Sequence, residues 1–362
     1  MLATGALWGG VANWTGFDGP EPVATVEPAP AAPDTATTTG TVAETKPVET
    51  TLADPARPNE LSRTLTGGGS AIIQVRPSER PGDVVVRDPA QIGQAAAMAH
   101  LPLPELLETV NGERLPRRSD DGLRPFDAYA RPWSGHAGPR IALVVGGLGL
   151  SQTGTQSAIA RLASPVTLAF ASEGNSLGRW MQTARREGHE IILQVPMEPL
   201  DYPSVDPGRM TLTLDGADNT ERLDWALGRT TNYTGIMNYM GAAFTADSAA
   251  LKPVLQELGD RGLMYLDDGT SARSTARDLA GAAGVPFAQA DIIVDTDRSR
   301  GAILSQLNQL EQIARSQGVA VGVGSAFDET VAAVTSWMNE ARKRGIEFIP
   351  LSAAALDPER RN

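Results

Sequence analysis

REGHEIILQVPMEP, residues 186–199, is the stretch whose reading decides the fold. It has the form of a helix end, a glycine turn, a short apolar strand and a polar-tipped loop. Ile191, Ile192, Leu193 and Val195 make a nearly continuous apolar run. A strand covered on both faces, as in a parallel sheet, reads this way. Gly188 stands where a helix C-terminus calls for positive φ. Gln194 and Glu198 then emerge at and just beyond the C-terminal end of the strand, where parallel α/β folds build their sites.

The same alternation extends outward from this stretch. Strands are expected at 141–147, 166–170, 190–196, 234–240, 263–268, 291–295, 319–325 and 347–352. Helical patterns separate them, as where Ile303, Leu307, Leu310 and Ala314 fall on one helix face. Arg261-Gly262, Gln317-Gly318 and Arg344-Gly345 mark helix ends. Eight strand–helix repeats predict a parallel α/β fold, a distorted (β/α)7-8 barrel in preference to an open doubly wound sheet.

The N-terminal third differs. Residues 1–17 are apolar, and no Lys or Arg precedes Lys46. The run is shorter than the roughly 20 residues of a full membrane span. The expectation is the end of a truncated membrane anchor, with an interfacial apolar terminus as the alternative. Residues 18–65 are rich in Pro, Thr, Ala and Glu. With few large apolar side chains to offset ordering entropy, they are expected to form a disordered linker. Residues 66–138 read as a lead-in packing on the barrel domain of 139–356. Its expected elements are strands at 71–75 and 83–88 and one or two helices in 89–112, broken at Pro102 and Pro104.

Composition removes several function classes. The chain of 362 residues has no cysteine, which excludes disulfides, thiolate metal sites and a Cys nucleophile. Three histidines, His100, His136 and His189, leave little for a multi-histidine metal site. His100 reads as packed or surface and His136 as solvated. The net charge of −12, and the lack of a basic stripe with interleaved aromatics, argue against nucleic acid as a partner. VVGGLGLS (144–151) fits neither G-x-G-x-x-G nor a P-loop and reads as a tight turn with Ser151 as helix N-cap. No G-x-S-x-G elbow is present.

Candidate site residues therefore come from strand ends. Asp267 and Asp268 end one strand and could serve as a general base or metal carboxylate, or equally as N-caps for the next helix. Asn238 and Tyr239 end another and suit hydrogen bonding to a sugar, and Asp295 and Asp297 flank a third. With Glu198, the two acids at 267 and 268 form the catalytic candidates. Asn238, Tyr239, Gln194 and His189 form the substrate-binding candidates, His189 having the alternative of holding its turn.

From about Arg140 to Ala355 the chain resembles the divergent polysaccharide deacetylase family, a remote branch of the carbohydrate-esterase barrels. The resemblance rests on IALVVGGLGLS (141–151), VTLAF (166–170), GHEIILQVPMEPLDYP (188–203), NYMGAAFT (238–245), RGLMYLDD (261–268) and ARSQGVAVGVG (314–324). It implies a distorted (β/α)7 barrel. Deacetylase relatives pair two Asp after the first strand, one as base and one as metal ligand, with two His four residues apart. Metal-assisted attack of water on an N-acetyl group follows.

Here those positions hold Gly146-Gly147, Gln194 and Glu198, and Tyr239 stands where an N-H-M-G motif would put His. A late G-H-P-like motif appears as Gly324-Ser325-Ala326. The resemblance thus implies a retained fold with the metal and base residues replaced. No metal or other cofactor is expected, and a divalent ion such as Zn²⁺ only if carboxylates rebuild the site. The expected function is glycan binding in the cell envelope, on the periplasmic side, toward envelope polysaccharide or a peptidoglycan fragment. Two alternatives stand beside it: an active hydrolase removing N-acetyl groups, and a membrane-tethered protein–protein adaptor.

Overall fold

The structure is a computed structural model that describes residues 93–360 together with two short strands upstream. A first unit, Met1–Thr64, lies outside the described residues, as do all the residues expected to form an anchor and a linker, 1–65; the second unit is Leu65–Asn362. Among the described residues no helix is long and apolar enough to cross a membrane.

The lead-in contains strands β1 (Ile72–Val75) and β2 (Val84–Arg87), which fall within the two expected runs and pair antiparallel. The helices expected in 89–112 do not form. Short 3₁₀ turns at Ala96–Met98 and Pro104–Leu106 take their place. A hairpin follows, of β3 (Leu107–Val110) and β4 (Glu113–Pro116). Pro102 and Pro104 prevent a continuous helix. Asn111 and Gly112 turn the chain with φ of 50° and 88°, the geometry of a tight two-residue hairpin turn. A single turn, α1 (Pro125–Ala128), ends the segment.

The barrel follows. It runs through β5 (Arg140–Leu148), α2 (Gln152–Arg161), β6 (Thr167–Ala171), α3 (Leu177–Arg186) and β7 (Ile191–Met197). Next come α4 (Asn219–Gly228), β8 (Gly235–Met240), α5 (Ser248–Arg261), β9 (Met264–Asp267) and α6 (Ala276–Ala282). It ends with β10 (Phe287–Gln289), β11 (Ile292–Ile293), α7 (Arg300–Gln317), β12 (Val319–Ser325), α8 (Asp328–Lys343), β13 (Glu347–Ile349) and α9 (Leu351–Ala354). Nine parallel strands form one curled sheet in the order β10-β9-β8-β7-β6-β5-β12-β11. β13 lies beside the N-terminal half of β5. This is the expected distorted barrel. β10 is an added strand, and the 291–295 strand is cut to two paired residues.

Alternate residues of each strand face opposite ways. Ala142, Val144, Ala169, Ile192, Met237, Leu266 and Val323 line the barrel interior. Leu143, Val145, Leu168, Leu193, Val195 and Ile236 pack outward beneath the helices. Phe126 of the lead-in, fully buried, enters the inner cluster with Ile349 and Leu351. Its N–H donates to the carbonyl of Gly262 at 3.1 Å. The lead-in therefore supplies a side chain to the barrel's own interior.

Candidate functional site

Gly188 has φ of 83°, and the strand it opens, β7, is buried along its whole length. At its start, Glu190 is completely enclosed. Its carboxylate accepts from the N–H of Arg131 (3.0 Å), the N–H of Ser352 (2.9 Å) and the Ser352 hydroxyl (2.5 Å). Burial pushes this carboxyl above its ordinary range, the three hydrogen bonds opposing. His189 is buried beside it, with Nδ1 2.8 Å from the Val166 carbonyl oxygen. Burial holds its imidazole below the ordinary range, in the neutral form. At about 3.3 Å per residue, five residues separate His189 from Gln194 by roughly 16 Å. As a substrate-binding candidate His189 is therefore corrected: it fixes the turn at the opposite end of the barrel.

At the C-terminal end, Gln194 points inward and is 8% exposed. Its Oε1 accepts from the N–H of Gly147 at 2.5 Å. A Cβ on Gly146 would lie 2.5 Å from Gln194 Nε2. The Gln194 amide thus fills the space that a side chain at 146 would need, so the residues at 146 and 194 are physically coupled. Gly147, at φ of 77°, suits the turn by which the β5 backbone offers its N–H to that amide.

The carboxylates do not converge. Glu198 Oε2 accepts from the N–H of Leu214 at 2.8 Å, while its backbone carbonyl accepts from Ala243 and Phe244. It ties the loop after β7 to the approach to α4. Asp267 Oδ1 accepts from the N–H of Gly269, and Asp268 Oδ1 from the N–H and hydroxyl of Thr270. Each holds its own loop. Burial pushes the Asp268 carboxyl up to about 6, the Asp267 charge adding to this and the Thr270 hydrogen bonds opposing. Asp295 Oδ2 accepts from the Ser325 N–H and the Thr330 hydroxyl, and Asp297 from the Ser299 N–H before α7.

Asn238 is fully buried, with its amide committed. Its Oδ1 accepts from the Tyr265 hydroxyl (3.2 Å) and the Asp268 N–H (3.0 Å), and its Nδ2 donates to the Met240 carbonyl (2.7 Å). The sugar contact expected of it is corrected accordingly: Asn238 offers no surface. It clamps the ends of β8 and β9 and holds Met240 at φ of 58°, a conformation that costs a non-glycine residue about 1–3 kcal/mol. The neighbouring Tyr239 is thereby presented outward, 43% exposed.

Tyr239, Gln194, Pro196, Leu150, Ala171, Ser172, Glu173 and Pro207 line a shallow pocket of about 60 Å³ on this face. Gln194 Nε2 makes no hydrogen bond to a described residue, which leaves a donor for a ligand. Exposed Tyr202 and Phe327 also lie in loops following strand ends. Of these, Gln194 and Tyr239 are legible in the sequence as strand-end polar residues, whereas Leu150, Ser172, Glu173 and Pro207 are not among the sequence candidates. The position of Ala171-Ser172-Glu173 at the end of an expected strand was the available signal for two of them.

A divalent metal does not fit these residues. Gly146 and Gly147 offer no side-chain donor, Gln194 is a neutral amide already bound to the backbone, and Glu198 is engaged by Leu214. Among the described residues no three of His, Asp and Glu are placed to hold a metal ion.

Fold and site position together define a deacetylase-type α/β barrel, and the comparisons give the family. The model for divergent polysaccharide deacetylases matches residues 143–355, and the chain belongs to that family. An uncharacterized protein of Agrobacterium tumefaciens C58, solved as a crystal structure, is 52% identical. It aligns with 67% of this chain and 99% of its own, at a TM-score of 0.66. An uncharacterized protein of Haemophilus influenzae is 26% identical over 151 residues, 42% of this chain and 54% of the relative. The uncharacterized protein YibQ of Escherichia coli is 23% identical over 193 residues, 53% of this chain and 60% of YibQ. The chain spans little more than half the length of these two relatives.

Proposed function

We propose that this chain is a glycan-binding protein of the cell envelope, in which a deacetylase-type barrel has lost metal-dependent hydrolysis. The observation that carries the reading is the Gln194 amide, which accepts from the Gly147 N–H and fills the space beside Gly146, at positions where the family resemblance would place an imidazole and an acid. The dispersed engagement of Glu198, Asp267 and Asp268 supports it, because each oxygen used to hold a loop is withdrawn from a reacting centre. The exposed ring of Tyr239 beside the free Nε2 of Gln194 suits a sugar, the ring offering an apolar face and the amide a donor. Envelope polysaccharide or a peptidoglycan fragment is the proposed partner. Residues 1–17 are proposed as a membrane tether and 18–65 as its spacer.

Calorimetry with N-acetylglucosamine oligomers and peptidoglycan fragments tests this reading. Binding is expected, weakened about tenfold or more in Tyr239→Ala by loss of a stacking contact. Metal content and acetate release are measured on the same preparation. Bound metal with released acetate would establish a working hydrolase, and no heat across the sugar panel would refute glycan binding.

A further inference from the structure

We propose that the N-terminal end of the barrel, remote from the Tyr239 pocket, carries an oxyanion site formed by Arg131, Arg185 and Arg186, which takes a compact phosphate or carboxylate group. The three side chains line a pocket of about 170 Å³ together with Gln94, Ala99 and His189. That is several times the roughly 30 Å³ occupied by one water, enough for a tetrahedral oxyanion and a few waters.

The charge balance here is unusual for a chain of net charge −12. Arg185 is buried, yet it meets only carbonyl oxygens: those of Ala99 (3.2 Å), Tyr129 (2.9 Å) and His189 (3.2 Å). Its Nη2 makes no hydrogen bond to a described residue. The Arg131 guanidinium bonds to the carbonyls of Gly188 and Pro132 and to the Ser164 hydroxyl, again to no carboxylate side chain, while the backbone N–H of Arg131 donates to Glu190. Arg186 is exposed and has no partner among the described residues.

Two carboxylates lie nearby. Glu187 is exposed at the end of α3, and Glu190 is enclosed, with its oxygens taken by the Arg131 N–H and by Ser352. His189 is held neutral by burial. Burial also holds the Arg185 guanidinium down to about 10, with the nearby Glu190 charge opposing. Gln94 Oε1, enclosed and without a partner, stands ready to accept from a protonated ligand oxygen or a bridging water. Guanidinium groups recognise phosphate and carboxylate through paired N–H donors, so an oxyanion supplies the direct hydrogen-bonded anionic acceptor pair that none of the three guanidinium groups has among the described residues, the Glu190 charge reaching Arg131 and Arg185 without such a bond.

The proposal is independent of glycan binding and is tested on the full chain. Inorganic phosphate and acetate are titrated by calorimetry at matched ionic strength. Heat with phosphate alone assigns a phosphoryl ligand, and heat with both extends the site to carboxylates. Arg186→Ala removes a side chain with no partner among the described residues, and is expected to weaken binding about tenfold, the loss of one charged hydrogen bond. Lys252→Ala, an exposed cation elsewhere on the surface, is expected to bind as the parent does. Absence of heat with both anions, or equal weakening by the two variants, overturns the proposal.

Discussion

Asp268 shows how a single residue reports on its surroundings. Its carboxyl is raised to about 6 by burial, against an ordinary value near 3.9. The folded state therefore favours the protonated form. Stability from this group is full below about pH 4 and is lost as pH rises through about 6. A displacement of about two pH units amounts to about 3 kcal/mol at neutral pH. Asp268→Asn keeps an oxygen for the Thr270 hydrogen bonds and removes the charge. It is expected to raise stability at pH 7 by up to this amount and to flatten the parent's decline between pH 4 and 6, as read by thermal denaturation across pH.

Gly146 and Gln194 give a second test at the same scale. Gly146→Ala must displace the Gln194 amide from Gly147, costing about 1 kcal/mol for the hydrogen bond. Gln194→Ala already lacks that bond and leaves room for the new methyl group. The double variant is expected to be less destabilised than the sum of the singles, with a coupling of about 0.5–1 kcal/mol in a denaturation cycle. Additive losses would mean that the two positions do not share one space.

At the scale of elements, the hairpin of β3 and β4 turns on Asn111-Gly112. Gly112 has φ of 88°, with nothing within 4 Å of where a Cβ would stand. Gly112→Ala therefore isolates the backbone strain and is expected to cost about 1–2 kcal/mol, visible as a lower denaturation midpoint. The same hairpin shows what was legible locally. Asn-Gly is a strong hairpin signal, but it stood at the end of an Ala- and Leu-rich run that read as helix. Ladder pairing between Leu107–Val110 and Glu113–Pro116 overrides that propensity. At two helix starts the local patterns agree with the elements: Ser151 caps α2 by accepting from the Gly154 N–H, and Asp247 caps α5 by accepting from Ala249 and Ala250. The strand expected over 347–352, by contrast, ends at Ile349 and turns into helix at Leu351. β10 was hidden because three residues, Phe287–Gln289, are too short to show a period.

At the scale of the whole molecule, the lead-in and the barrel share one interior. Phe126→Ala removes a fully buried ring from the inner cluster and is expected to cost about 3–5 kcal/mol in equilibrium unfolding. The cost arises inside the barrel although the residue lies outside the family match of 143–355. Arg124 reinforces the join from a nearly buried position, reaching Asp357 at 2.6 Å and Asp127 at 2.6 Å. The C-terminal segment and the lead-in are thereby bound to each other as well as to the sheet.

The sequence by itself determined the parallel α/β barrel, because two-faced strands and glycine-ended helices are written in local apolar spacing. It also located the strand ends where polar groups could gather, among them Gln194 and Tyr239. What each of those groups does was decided by tertiary structure. Whether an Asp is a base or a loop tie depends on which N–H lies within 3 Å, and that N–H is set by packing. Asn238, enclosed between β8 and β9, and His189, at the far end of β7, look like site residues in the sequence and become fasteners in the fold. Arg185 and Arg186 are neighbours at the end of α3, but Arg131 stands more than fifty residues earlier in the lead-in. Only the folding of the lead-in against the end of α3 puts its guanidinium in the same pocket as theirs.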